Sequence, residues 1–537
     1  MAARAWAAHA RSCWSYSLCG VPSRQPLRPQ RAPARSLAEV AALLGVEVAD
    51  GDRTVTGVTH DSRRVIRGDL FAALPGADTH GARFVDQALA AGAVAVLTDS
   101  EGAAAVRGVP VIVVPDPRRH LGAVASFVYG DPARDLLMFG VTGTNGKTTT
   151  AYLIEAGLRK AGHITGLIGT VETRVGDDAL PSVRTTPEAT DLHALLAVMR
   201  ERGVASCVME VSSHALVFGR VDGVVFDVAG FTNLSQDHLD FHADMDDYFA
   251  AKAALFTAER SRRGVVCVDD QYGRTLAAKS EISVATVSLS GESADWRVSE
   301  VEVGASGGSS AARLDGPEGA AMGVWTSLPG EFNLANAALA VVMLMQAGVP
   351  AALAMRGVGT CTGVPGRMER VQSTGPDEPL AVVDYAHTPD AITTVLHALR
   401  PSTRGRLIAV LGAGGKRDPH KRPLMGEAAA RGADLVIVTD DNPRTEDPAT
   451  IRAAVLAGAT AVPVAERAEV REVADRARAI RAAVDEGNGA ADTVVVLGKG
   501  HEQGQEVAGA VQPFDDRAVL REAIERWTER RAEEAPR

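Results

Sequence analysis

No apolar run in this 537-residue chain approaches the ~20 residues that a membrane-crossing helix needs. The opening segment also lacks the continuous apolar core of a secretory signal. A surplus of positive charge is missing: 56 Lys and Arg face 67 Asp and Glu, for a formal net charge of -11. A nucleic-acid-binding domain is expected to be basic, so that class is disfavoured. Cysteine is sparse. Cys13, Cys19, Cys207, Cys267 and Cys361 are odd in number and scattered, which fits free thiols in a reducing compartment better than a disulfide framework. Internal repeats are absent. Acidic residues are absent from residues 1–35, which carry six arginines and end in a Pro/Arg-rich stretch from Pro22 to Arg35. An Arg-rich, acid-free leader can be an organelle transit peptide, a disordered basic tail, or the product of a start codon placed too far upstream. It is expected to be dispensable, because its composition cannot build a core.

What remains is an ordinary globular composition, 46% hydrophobic and 23% charged, long enough for two to four domains. Residues 36–133 alternate apolar and charged positions with Gly/Asp turns, and residues 134–366 alternate strands with helical stretches up to a Gly/Pro-rich boundary. Residues 367–537 form a third alternating block. Its apolar runs at Leu407–Leu411, Leu435–Thr439 and Val494–Leu497 each end in a polar or Gly-rich loop, the pattern of a doubly wound sheet with functional loops at strand carboxyl ends. Gly304 to Gly319, rich in Gly, Ser and Ala, reads as a surface loop.

Two loops carry chemistry. Leu136–Val141 reads as a strand running into Gly143-Thr144-Asn145-Gly146-Lys147-Thr148-Thr149. Backbone N–H groups in such a loop cradle phosphates, Lys147 reaches the terminal phosphates, and the Thr148 hydroxyl ligates magnesium. The glycines fall at 140, 143 and 146, and Val141 stands where the general phosphate-loop pattern has its first glycine. The second loop, Asp441-Asn442-Pro443-Arg444, follows an apolar strand. Arg444 offers a planar fork suited to a carboxylate, and Asn442 and Pro443 stiffen the turn that aims it. Alone, such an arginine is more often a solvated surface residue.

Further segments follow in order: Met209-Glu210-Val211-Ser212, Phe231-Thr232-Asn233-Leu234, Asp237-His238-Leu239-Asp240, Gly330-Glu331-Phe332-Asn333-Leu334-Ala335-Asn336, Gly363-Val364-Pro365-Gly366-Arg367 and Asp384-Tyr385-Ala386-His387. Together with Gly-x-x-Gly-Thr-x-Gly-Lys-Thr they resemble the Mur ligase family, from about residue 37 to the end. The resemblance implies an α/β fold of three domains. These are an N-terminal UDP-binding domain, a P-loop-type central ATPase domain and a Rossmann-like C-terminal domain that binds an amino acid.

The resemblance implies a site as well. ATP would be held by residues 143–149, Asn333, Asn336, Arg367 and Asp384, with Lys147, Lys252 and His387 catalytic. Magnesium would be held by Thr148, Glu210, His238 and Lys252, the last as a carbamate, because an ammonium beside metal ions would be repelled. Ser62, the loop Gly76-Ala77-Asp78-Thr79, Arg184, Thr185, Thr186, Ser212, Phe218 and Arg220 would hold the UDP-linked substrate. Phe218 and Arg184 depart from some relatives, which carry glutamine and asparagine there. Arg417, Asp441, Asn442, Pro443, Arg444, Gly498 and Glu502 would hold diaminopimelate, arginines taking a carboxylate and Glu502 an ammonium group. The implied reaction is ATP-dependent addition of meso-diaminopimelate to UDP-N-acetylmuramoyl-L-alanyl-D-glutamate through an acyl phosphate, by a cytoplasmic monomer. Neither nucleic acid nor membrane insertion is implied. Lysine addition by the same fold, folylpolyglutamate synthesis and a non-catalytic plastid-type scaffold are the alternatives. Nothing in the chain resembles a folate-binding region, and an intact phosphate loop counts against a scaffold.

Overall fold

The computed structural model describes residues 27–76, 79–303, 309–371 and 377–534. Contacts group them into two units: the residues up to His120 with Phe127–Gly130, and Leu121–Ser126 with Asp131 onward.

The first unit is built on a parallel sheet in the order Gly57–Thr59, Asp69–Ala72, Ala95–Thr98, Val111–Val113. Both central strands are buried along their length, as expected for strands covered on two faces. Part of the basic segment belongs to this unit. Arg28 donates to the Val58 carbonyl at 3.0 Å and pairs with the fully buried Asp69 at 3.0 Å. Arg35 donates to the Phe127 carbonyl and lies 4.3 Å over that ring. The described end of the expected leader is therefore structural: burial pushes the Asp69 carboxyl above its ordinary range, and Arg28, with the Ile66 peptide N–H, partly offsets that cost. Ser62 is buried and donates to Gln87 at 2.9 Å. Ala77 and Asp78 of the expected nucleotide loop lie outside the described residues.

In the second unit an eleven-stranded sheet is parallel through its middle, from Thr165–Ile168 to Trp296–Val303, with antiparallel pairs at both edges. The phosphate-loop strand, Leu137–Thr142, sits between Ser206–Glu210 and Val228–Phe231. Their carboxyl ends therefore meet on one edge. The apolar helix Phe332–Gln346 packs against Lys147–Lys160 over this sheet, burying Leu153, Leu158, Leu339 and Leu344.

The surface loop expected at 304–319 is partly wrong. Residues 304–308 are outside the described set, but Ser310–Asp315 is a strand paired with both Trp296–Val303 and Ala321–Thr326. Its buried positions are Ser310, Ala312 and Leu314, alternating with exposed Ala311 and Arg313. The small residues on the inner face hid a period of two.

A second, six-stranded sheet carries Leu380–Asp384, Thr493–Leu497, Leu407–Leu411 and Leu435–Val438 side by side and parallel. Their side chains are almost wholly buried. Four loops, beginning at Tyr385, Gly412, Thr439 and Gly498, leave the same edge. This is the doubly wound arrangement in which ligands collect at strand carboxyl ends.

Candidate active site

The phosphate loop turns on two glycines with positive φ, Gly143 at 143° and Gly146 at 86°. A side chain on Gly143 would begin 1.9 Å from Thr232 Oγ1, and one on Gly146 would begin 2.5 Å from Asn336 Oδ1. The loop is thus packed against Thr232 and the asparagine pair with no room for a Cβ. Lys147 opens the following helix, and its Nζ curls back to the carbonyls of Gly143 and Thr144, at 2.9 Å each. Burial pulls its ammonium below the ordinary range, against the pull of Glu210 and Asp237. Asn336 donates to Asn333 at 3.0 Å, and Asn333 donates to the Pro329 carbonyl at 2.7 Å.

Glu210, the last residue of its strand and 1% exposed, joins two of the expected subsites. Thr148 donates to its Oε2 at 2.9 Å. Thr170 donates to the same carboxylate through its peptide N–H at 2.7 Å and its hydroxyl at 3.0 Å. Thr170 and Thr185 share a hydrogen bond at 3.0 Å. Thr186 donates to the Glu210 carbonyl at 2.8 Å and receives the Ser212 peptide N–H at 3.1 Å. The structure therefore brings Thr148 together with Thr185, Thr186 and Ser212. The connecting residue, Thr170, was not singled out in the sequence, where an isolated threonine carries no signal.

A cavity of about 570 Å³ opens at this edge. It is lined by residues 144–149, Thr185, Glu210, Ser212, His238, Asn333 and Asn336, and from the C-terminal domain by Arg367, Asp384, His387 and Arg417. Arg367 donates to Thr148 at 3.2 Å and lies 4.2 Å over the Tyr385 ring. Asp384 accepts from the peptide N–H groups of Met368 and Ala386, at 2.6 and 2.7 Å, and so pins the turn that presents Arg367. His387 Nδ1 lies 3.0 Å from the Tyr385 carbonyl, which can only accept, so that nitrogen carries the proton.

Asp237 is a residue whose role the sequence reading missed, although it stands beside His238. It is 7% exposed, with His238, His387 and Lys421 at 3.5, 3.8 and 3.7 Å. Burial would raise its carboxyl, but those three groups outweigh burial and hold it below the ordinary carboxylate range. His238 is depressed by burial, with Asp237 opposing.

Lys252 is 1% exposed, and its Nζ donates to the Gly143 carbonyl at 2.8 Å and lies 4.5 Å over the Tyr248 ring. Burial, reinforced by Lys147, pushes its amine well below the ordinary lysine range. Among the described residues no three His, Cys, Asp or Glu side chains form a cation site. The expected donor set has two of that kind, Glu210 and His238, and needs an anionic Lys252 to complete it. The neutral amine favoured at Lys252 is the form that adds carbon dioxide, so the residues present fit that requirement.

Arg220 pairs with Glu188 at 2.8 Å, and Arg184 lies 3.7 Å from the same carboxylate. Phe218 packs at 5.4 Å from Phe241, with Arg220 5.6 Å over its ring.

The residues expected to hold the amino acid form a neighbouring cluster, of which Arg417 reaches the cavity. A side chain on Gly414 would begin 3.1 Å from Arg444 Nη1 and 3.8 Å from Arg417 Cγ, so both arginines border one small space. Arg444 donates to the Gly415 carbonyl at 2.6 Å. Asn442 is a joint: its Nδ2 donates to Glu502 at 2.8 Å, and its Oδ1 accepts from Lys499 at 2.9 Å and from the Glu506 peptide N–H at 3.0 Å. Gly498 abuts Asp441, whose Oδ2 would lie 2.6 Å from an added side chain. His238, Met368, Lys416 and Arg444 all hold left-handed φ, between 44° and 56°. Non-glycine residues hold that conformation only where surrounding structure fixes it, and Asp50, Asp131, Glu300, Glu318 and Ala508 hold it elsewhere.

Three family descriptions cover most of this chain. Residues 54–129 match the Mur ligase family catalytic domain, 141–344 the Mur ligase middle domain, and 366–500 the Mur ligase glutamate ligase domain. The UDP-N-acetylmuramoyl-L-alanyl-D-glutamate--2,6-diaminopimelate ligase of Streptomyces coelicolor is 57% identical over 93% of this chain and 98% of its own length. A solved structure of a ligase with that name is 33% identical, with a TM-score of 0.64 over 92% of this chain and 100% of its own. The MurF ligase of Thermotoga maritima, solved in complex with ADP, shares the fold at 18% identity, with a TM-score of 0.61 over 89% of this chain and 99% of its own.

Proposed function

The chain belongs to the Mur ligase family, and on that footing we propose that it joins meso-diaminopimelate to UDP-N-acetylmuramoyl-L-alanyl-D-glutamate with cleavage of ATP, in peptidoglycan precursor synthesis. The glutamyl γ-carboxylate attacks the terminal phosphorus of ATP, giving an acyl phosphate and ADP. The amine of the incoming amino acid attacks the acyl carbon, loses its proton, and inorganic phosphate leaves.

Each part of the cavity has a task in this reaction. Lys147 and the loop N–H groups meet the terminal phosphates once the lysine leaves the carbonyls of Gly143 and Thr144. Arg367 adds a second cation from the C-terminal domain. Thr185, Thr186, Ser212 and Arg220 orient the acceptor. Thr148, Glu210, His238 and a carbamylated Lys252 would hold magnesium, which would supply positive charge to stabilise the transferring phosphoryl group. Arg417 and Arg444 take the carboxylate groups of the amino acid, and Asn442 and Lys499 hold Glu502. The protein acts as a cytoplasmic monomer in this reading.

The observation that carries it is the pair of arginines bordering Gly414, one of which also lines the nucleotide cavity. Two arginine side chains there, Arg444 anchored on the Gly415 carbonyl and Arg417 exposed, suit a dicarboxylic amino acid. The test is ADP release with the UDP-linked dipeptide and a panel of amino acids. Release supported equally by lysine and meso-diaminopimelate would overturn the amino-acid assignment.

A further inference from the structure

The hairpin Gly504–Val507/Ala510–Pro513 is tied to the 441–444 loop by backbone. Arg444 N donates to the Glu506 carbonyl at 3.0 Å, the Arg444 carbonyl receives the Ala508 N–H at 2.6 Å, and Arg444 bridges Val507 in parallel. Asn442 Oδ1 adds the side-chain tie, accepting from Glu506 N at 3.0 Å. The hairpin thus fixes the left-handed turn at Arg444 and sets Glu506 against its guanidinium. One edge of that group is taken by the Gly415 carbonyl at 2.6 Å, and its Nε faces Glu506 Oε2 at 3.4 Å.

The two carboxylates nearby are not equivalent. Glu502 is bound inward, its Oε2 accepting from Asn442 and from Lys499, a lysine side chain with 0% exposure. Glu506 is 38% exposed and meets Arg444, itself 26% exposed, at a separation too long for a strong hydrogen bond. Exposed pairs of this kind are weak and exchange readily.

We propose that Glu506 is an internal counter-ion of Arg444, a positioning residue that holds the specificity arginine until the distal carboxylate of the amino-acid substrate takes its place. The inference rests on the diaminopimelate reading above. It adds that affinity for the dicarboxylic substrate is set by competition between two carboxylates for one guanidinium. A substrate lacking the second carboxylate leaves the Glu506–Arg444 pair intact and gains nothing from its removal.

The experiment measures Michaelis constants for meso-diaminopimelate, lysine and ATP in the wild type, Glu506→Gln, Arg444→Ala and the double variant. Glutamine keeps the shape and the hairpin and removes the charge. Glu506→Gln is expected to lower the constant for diaminopimelate about two- to fivefold, the worth of an exposed ion pair, without lowering those for lysine or ATP. In the Arg444→Ala background the same change is expected to have no such effect. A constant that is unchanged or raised in Glu506→Gln, while Arg444→Ala raises it, overturns the inference and leaves the diaminopimelate reading standing. An unchanged constant in Arg444→Ala overturns both.

Discussion

A lysine amine with almost no exposed surface, beside a second lysine and a phosphate-loop carbonyl, is out of place as an ammonium ion. For Lys252, burial and Lys147 both favour the neutral amine, the nucleophile required for carbamate formation. Lys252→Ala is expected to reduce turnover on the order of a hundredfold, with partial recovery on adding a short-chain carboxylic acid. Carbon-13 bicarbonate gives a direct readout: a carbamate resonance present in the wild type and missing in Lys252→Ala. Retained activity in the alanine variant would return Lys252 to a packing role. Arg444 is the second decisive residue. A charge-assisted pair with a distal carboxylate is worth about 2–4 kcal/mol, so Arg444→Ala should raise the Michaelis constant for diaminopimelate by roughly thirty- to a thousandfold. The constant for ATP should change little.

Between elements, the contact with the clearest pH signature joins the helix Lys421–Gly432 to the segment after Arg444. Arg422, 3% exposed, donates to both oxygens of Glu446 at 2.6 and 2.9 Å. That pairing, with the Lys416 N–H, pulls the Glu446 carboxyl down to about 2 from an ordinary 4.5. A depressed carboxylate contributes stability that is present above the ordinary value and is lost as pH falls through the depressed one. Glu446→Gln should therefore melt lower than the wild type at pH 7, and the gap should close as pH falls from 4.5 toward 2. A gap independent of pH would show that the pair does not stabilise the fold. The elements themselves were largely readable. The strands at Leu407–Leu411 and Leu435–Val438 are unbroken apolar runs, and the phosphate loop and the Asp-Asn-Pro-Arg turn are contiguous in sequence. The strand Ser310–Asp315 was unreadable because alanine and serine face its core. Thr170, Lys499 and Glu506 were missed because their roles arise from partners 40, 57 and 62 positions away in Glu210, Asn442 and Arg444. Asn442 was expected to stiffen the turn and to meet the amino acid; its amide is turned inward, bonded to Glu502, Lys499 and the Glu506 peptide N–H.

For the molecule as a whole, the basic N-terminal segment has a measurable structural share. Asp69 has no exposed side-chain surface and Arg28 is its cationic partner, so a chain beginning at Ser36 takes the cation from a buried carboxylate that keeps the Ile66 peptide N–H. The cost of such a loss is about 3–5 kcal/mol, and the first unit should melt about 10 °C or more below that of a chain beginning at Leu27. Equal melting temperatures would show that Arg28 is dispensable. The threonine chain through Glu210 has a different kind of consequence. Thr148, placed on the nucleotide side by the proposed function, and Thr170 with Thr185, placed by it on the acceptor side, hydrogen-bond to one carboxylate or to each other. Whatever rearrangement one ligand imposes on Glu210 is felt by the other, and linkage requires the two effects to be equal. The factor by which a non-hydrolysable ATP analogue changes the dissociation constant of the UDP-linked dipeptide must equal the factor by which the dipeptide changes that of the analogue. Both are expected to differ from one, and to return toward one in Thr170→Val, where calorimetry can read the four constants of the cycle.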